Sequence, residues 1–110
     1  MRFGLTESVI EQVNSVFVKH HEIEQVIIYG SRAKGNYKIG SDLDLTICST
    51  ELNQRLLLQI MTELDDLLLP YSIDLSIYQQ IDNPNLIEHI QRVGMIFYQR
   101  TNDECWIFWW

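Results

Sequence analysis

Apolar positions along this chain change their period several times, and each change marks an element. Val9, Ile10, Val13, Val16 and Phe17 recur at intervals of three and four, which predicts a helix reaching about His20. Thr6 stands where an N-cap belongs, with Glu7 in the first turn and Leu5 and Ile10 spaced for a hydrophobic staple. A turn rich in His and Glu leads to Gln25–Tyr29, apolar without alternation, as in a strand covered on both faces. From Asp42 to Cys48 the pattern alternates strictly. Asp42, Asp44, Thr46 and Cys48 share one face, and Leu43, Leu45 and Ile47 the other. Ser49-Thr50-Glu51 reads as a cap opening a helix striped by Leu52, Leu56, Ile60, Leu64 and Leu67, with Pro70 as its stop. A third strand, about Ser72 to Tyr78, sets Ile73, Leu75 and Ile77 on the opposite parity from Asp74. Asn83 and Pro84 start a last helix carrying Leu86, Ile87, Ile90 and Val93; Gly94 closes it, and a short strand from Met95 to Tyr98 follows. The order α-β-β-α-β-α-β predicts an α/β (α+β) domain, a mixed sheet of about four strands with helices packed on its apolar face.

The polar stretch between the first two strands carries the chemistry. Gly30 allows close backbone approach, and Ser31 opens a short helical turn whose free N–H groups and hydroxyl suit a phosphate. Gly35 and Gly40 let the loop bend back so that the second strand starts near the end of the first. Carboxylates at i and i+2 on a strand point the same way, with Cα atoms about 6.5–7 Å apart. Asp42 and Asp44 can therefore reach one divalent cation, or a pair of them about 3.5–4 Å apart. Asp74 has the parity to join them if its strand lies alongside. Three such carboxylates repel one another without a cation, and oxygen-only ligation favours Mg²⁺ or Mn²⁺ over zinc. An anion cradle beside a metal cage is equipment for phosphoryl or nucleotidyl transfer, with a metal-bound nucleoside triphosphate as substrate.

Composition narrows the partners. At 110 residues and 46% hydrophobic, residues 1–100 are expected to form a single domain with one core, followed by a tail at 101–110. A net charge of −7 has the wrong sign for tracking a nucleic-acid backbone. Arg32, Lys34 and Lys38 nonetheless put three of the eight basic residues in one loop, which suits a small anion; of these, Arg32, beside Ser31, is favoured as a phosphate contact. Cys48 and Cys105 are too few for a disulfide framework and lack metal-ligand spacing. No signal-peptide pattern or long apolar span is visible, so a cytoplasmic protein with no membrane contact is expected.

Gly30-Ser31, ten residues, then Asp42-x-Asp44, with Asp74 on a later strand, resembles the signature of the polymerase-beta-like nucleotidyltransferase superfamily. Gly-Ser-Arg-Ala-Lys-Gly followed by Gly-Ser-Asp-Leu-Asp-Leu is similar to the minimal nucleotidyltransferases, abbreviated MNT. Lys34 stands where many relatives have Arg. The resemblance implies a palm-like fold, Asp42, Asp44 and Asp74 as catalytic metal ligands, and two Mg²⁺ ions with ATP as substrate. Gly30 and Ser31 would hold the triphosphate. Members of this group are typically antitoxins paired with a HEPN-domain toxin, and the implied reaction moves AMP from ATP to a toxin tyrosine. Two rivals are an antitoxin that only binds, and a transferase acting on a small-molecule hydroxyl, which usually needs an extra domain.

The remaining polar residues have plainer readings. His20 and His21 suit a helix C-terminus, His89 a structural place away from the motif, and Cys48 a strand end. Tyr37 is a weak candidate for base stacking. The tail Cys105-Trp106-Ile107-Phe108-Trp109-Trp110 is too aromatic for open water. It fits either a fold-back on the core or an interface with a toxin or a second subunit, which allows for a homo-oligomer.

Overall fold

A computed structural model of the chain describes residues 2–100. Its elements are α1 (Glu7–Phe17), β1 (Gln25–Tyr29), α2 (Gly30–Lys34), β2 (Leu43–Cys48), α3 (Gln54–Asp65), β3 (Ile73–Ile77), a 3-10 turn (Tyr78–Gln80), α4 (Pro84–Val93) and β4 (Met95–Gln99). The strands form one sheet in the order β3-β2-β1-β4. β1 is antiparallel to β2 and to β4, while β2 and β3 run parallel. Parallel neighbours need a crossover, and α3 supplies it.

Register puts the apolar sets in phase. Leu43 lies beside Ile73, Leu45 beside Leu75 and Ile47 beside Ile77. Ile28 pairs with Leu45 and Val26 with Ile47, so β1 adds its share to the same face. α1 and α3 cover that face with Ile10, Val13, Val16, Phe17, Leu57, Ile60 and Leu64, all buried in one cluster. Phe97 of β4 meets Phe17 edge-on at 6.5 Å between ring centres. Each such side chain removed from water contributes about 1.5–3 kcal/mol. The expected mixed four-stranded sheet with helices is thus the observed fold class, but the helices do not all lie on the apolar face as expected.

α4 packs on the other side of β1. A Cβ on Gly94 would run into the Ile90 carbonyl and, at 2.7 Å, Ile27 Cγ2. Ile27 pairs with Thr46 and so points away from the main core. Here is the reason that β1 reads as apolar on both parities: one face meets α1 and α3, the other α4.

Element ends moved where side chains found other partners. The Thr6 hydroxyl caps α1 as expected, accepting from the Val9 N–H at 3.2 Å. The cap expected at Ser49-Thr50-Glu51 is instead at Asn53, whose Oδ1 accepts from Leu56 N at 2.9 Å. Ser49 is buried and donates its hydroxyl to the Glu22 carbonyl, so it braces a loop rather than a helix. α3 stops at Asp65, ahead of Pro70, and Leu68 just beyond takes a left-handed φ of 54°. His20 also departs from the helix-end reading. Its Nε2 lies 3.1 Å from Glu63 Oε1, tying α1's exit to α3. Burial raises the Glu63 pKa, but hydrogen bonds from His20, Gln59 and Lys19 outweigh it and leave the carboxyl below its usual value. No helix among the described residues is long and apolar enough to cross a membrane. The aromatic tail lies outside the described residues.

Candidate active site

The parallel pairing of β2 with β3 makes Asp44 and Asp74 direct neighbours across the ladder, on the same face. Asp42 lies one residue before β2 begins, two before Asp44, at the same parity. Asp42 and Asp74 are exposed, and Asp44 is half-buried between them. Among the described residues no ion pair engages any of the three.

Asp44 registers the crowding. Partial burial raises its carboxyl pKa, the charges of Asp74 and Asp42 raise it further, and His89 opposes them. Like charges facing one another without a counter-ion form a site complementary to a cation. The donor set is all oxygen, which suits Mg²⁺ or Mn²⁺. Among the described residues no three carboxylate, histidine or cysteine side chains are already drawn together at ligating distance. The residues fit a metal in kind, face and charge.

Gly30 is fitted against this cluster. Its φ is 74°, and a Cβ there would strike Asp44 Oδ2. Glycine is therefore required twice over, by conformation and by space. α2 begins at Gly30 directly from β1, so Ser31 sits in its first turn, where N–H groups lack intrahelical acceptors. Gly35, at a φ of 86°, ends the helix by donating its N–H to the Ser31 carbonyl at 2.9 Å.

Arg32 is not brought to the aspartates. Its side chain is buried, donating Nε and Nη2 to the Ser41 carbonyl at 3.0 and 2.8 Å and Nη1 to the Phe3 carbonyl at 2.8 Å. The guanidinium also lies over the rings of Tyr71 and Tyr37, 4.9 and 5.3 Å from their centres. This geometry does not support a phosphate contact for Arg32, because its charge is already committed. Tyr37, weakly expected under a base, is one of its partners. Lys34 and Lys38 remain exposed.

Three features of the site escaped the sequence pattern. Tyr29 pairs with Asp44 and is buried; burial raises its phenol pKa, the Ser76 hydroxyl pulls it down, and Asp74 and Asp44 raise it again. His89, read as remote, stands edge-on to Tyr29 at 6.2 Å between ring centres. Helical phase could have found it, since Leu86, His89, Ile90 and Val93 share one face of α4. One rung behind the acids, Ser76 Oγ and fully buried Thr46 Oγ1 are bonded at 2.9 Å.

Comparison with known proteins bears on the family and the fold. The family model described as "Polymerase beta, Nucleotidyltransferase" matches residues 11–103, and the chain belongs to that family. A search of curated proteins returns no match. Among solved structures, a chain of a toxin–antitoxin complex crystallised with AMP-PNP aligns with a TM-score of 0.67 at 14% identity, over 88% of this chain and 78% of that one. A tri-AMPylated Shewanella oneidensis HEPN toxin in complex with its MNT antitoxin aligns with a TM-score of 0.64 at 12% identity, over 93% and 79%. The MntA-HepT toxin–antitoxin structure aligns with a TM-score of 0.64 at 11% identity, over 86% and 74%. At these identities the likeness is one of fold.

Proposed function

We propose that this chain is a Mg²⁺-dependent nucleotidyltransferase of the minimal type, an antitoxin that transfers AMP from ATP to a tyrosine hydroxyl of a HEPN-domain toxin. The observation that carries this reading is the Asp44–Asp74 rung, with Asp42 on the same parity and Gly30 pressed against Asp44. The fold shared with complexes of HEPN toxins supports the partner, and the AMP-PNP and AMPylated structures support the nucleotide.

Asp42, Asp44 and Asp74 would hold the metal, which when bound neutralises phosphate charge and lowers the barrier to departure of pyrophosphate. Ser31 and the free N–H groups of α2 receive the phosphate oxygens. Asp74, exposed at the sheet's surface, can accept the phenolic proton from a tyrosine of another chain. The phenolate oxygen then bonds to the α-phosphorus as the bond to pyrophosphate breaks. A tyrosine ordinarily titrates near about 10, so proton acceptance at the site is needed at neutral pH.

The test is intact mass of a HEPN-domain toxin incubated with this chain, ATP and Mg²⁺. Gain of one or more AMP units, absent with Asp44→Asn, supports the reading. Toxin neutralised without any mass change would instead identify a masking antitoxin.

A further inference from the structure

We infer that Arg32 is a positioning residue: a clasp that fixes the gap between the phosphate cradle and the carboxylates, not a ligand for either. The inference rests on the proposed function, because it assigns both halves of that site. Arg32 follows Ser31 directly, and the carbonyl it grips with two donors belongs to Ser41, which directly precedes Asp42. One guanidinium therefore joins the residue after the cradle to the residue before the first carboxylate.

Ser41 is held at its other atoms too. Its N–H donates to the Lys38 carbonyl at 3.0 Å, and its Oγ accepts from the Lys38 N–H at 2.8 Å. Gly40, with a φ of 85°, occupies the position that such a turn reserves for glycine. A third anchor comes from the start of the chain. The Arg2–Leu5 turn holds Phe3 at a φ of 58°, an uncommon conformation for a bulky residue, and presents its carbonyl to Arg32 Nη1. Tyr71 and Tyr37 each bring a ring to the guanidinium, a contact that a planar cation satisfies better than an ammonium.

Loss of the fork should leave both half-sites intact but let Asp42 drift relative to Ser31. The test is Arg32→Lys, with Tyr71→Leu as a milder second variant should the first fail to fold. Amide hydrogen exchange across residues 38–43 is expected to quicken at least tenfold in either variant, while β1 and α1 keep their protection. In the transfer assay, half-saturating Mg²⁺ should rise about tenfold and kcat fall, with the KM for ATP at saturating Mg²⁺ changed less than about threefold. Millimolar guanidinium added to Arg32→Ala should restore part of kcat. Unchanged exchange at 38–43 would overturn the clasp, and a raised ATP KM with unaltered Mg²⁺ demand would overturn it and make Arg32 a phosphate contact instead. If the native chain transfers no nucleotide, the proposed function fails, while the exchange measurement still decides the clasp.

Discussion

β2 and β3 present two faces built by the same ten or so residues to opposite ends. On one, Leu43, Leu45, Ile47, Leu75 and Ile77 disappear beneath α1 and α3. On the other, Asp44 and Asp74 stand side by side with a Thr46–Ser76 rung behind them. The apolar face is redundant: many contacts share the load, and no one atom is indispensable. The acidic face is the reverse, since the charges of Asp74 and Asp42 make Asp44 less comfortable as an anion. Stability is invested on one side of a strand so that repulsion can be kept on the other.

The sharpest way to break this division is to cut into each face separately. Leu45→Ala should lower unfolding free energy by about 2–5 kcal/mol, read by denaturant melts, because the cavity lies in close-packed surroundings. Transfer activity per folded molecule should survive. Asp44→Asn should do the opposite, lowering transfer on the order of 10²–10³-fold, the scale of losing one charge-stabilising group. Its melting temperature should not fall. Gly30→Ala joins the two faces' costs: a side chain in a left-handed conformation, pushed into Asp44, should cost about 1–3 kcal/mol and impair transfer as well.

Smaller effects sharpen the contrast. Thr46→Val removes, at a fully buried position, the oxygen that accepts from Ser76 Oγ, and should cost about 1 kcal/mol with little change in transfer. The pH dependence follows from Asp44, whose folded pKa is raised by burial and by the charges of Asp74 and Asp42. Between the ordinary carboxylate value and that raised value the folded chain binds the proton more tightly than the unfolded chain does. This group's contribution to stability therefore decreases as pH rises through that window. Metal affinity should increase over the same window, because the cation displaces the proton. Asp44→Asn should flatten the stability trend, measured by melts at stepped pH without metal.

Which parts were legible beforehand follows from the same physics. The strand period of two is set by covalent geometry, so the common face of Asp42 and Asp44 could be read directly, and Asp74 needed only parallel pairing. β1 was placed at Gln25–Tyr29 because its apolar run is bounded by polar turns. The partners of Arg32 are not legible in the sequence, because Ser41, Phe3 and Tyr71 approach it only after folding. The start of α3 was misplaced for a like reason: Ser49 looks like a cap until the Glu22 carbonyl claims its hydroxyl. Helical phase puts His89 on the packed face of α4, but its place beside Tyr29 depends also on which side of the sheet α4 takes.

Manganese offers the most direct measurement of the central claim, since it can replace magnesium in an oxygen site and broadens nearby amide signals. Titrated with Mn²⁺ and AMP-PNP, the chain should lose the amide signals of Leu43–Leu45 and Ile73–Leu75 together and first, and Asp44→Asn should require far more metal. Broadening confined to one of the two strands, or appearing first around Glu63, Asp65 and Asp66, would contradict it.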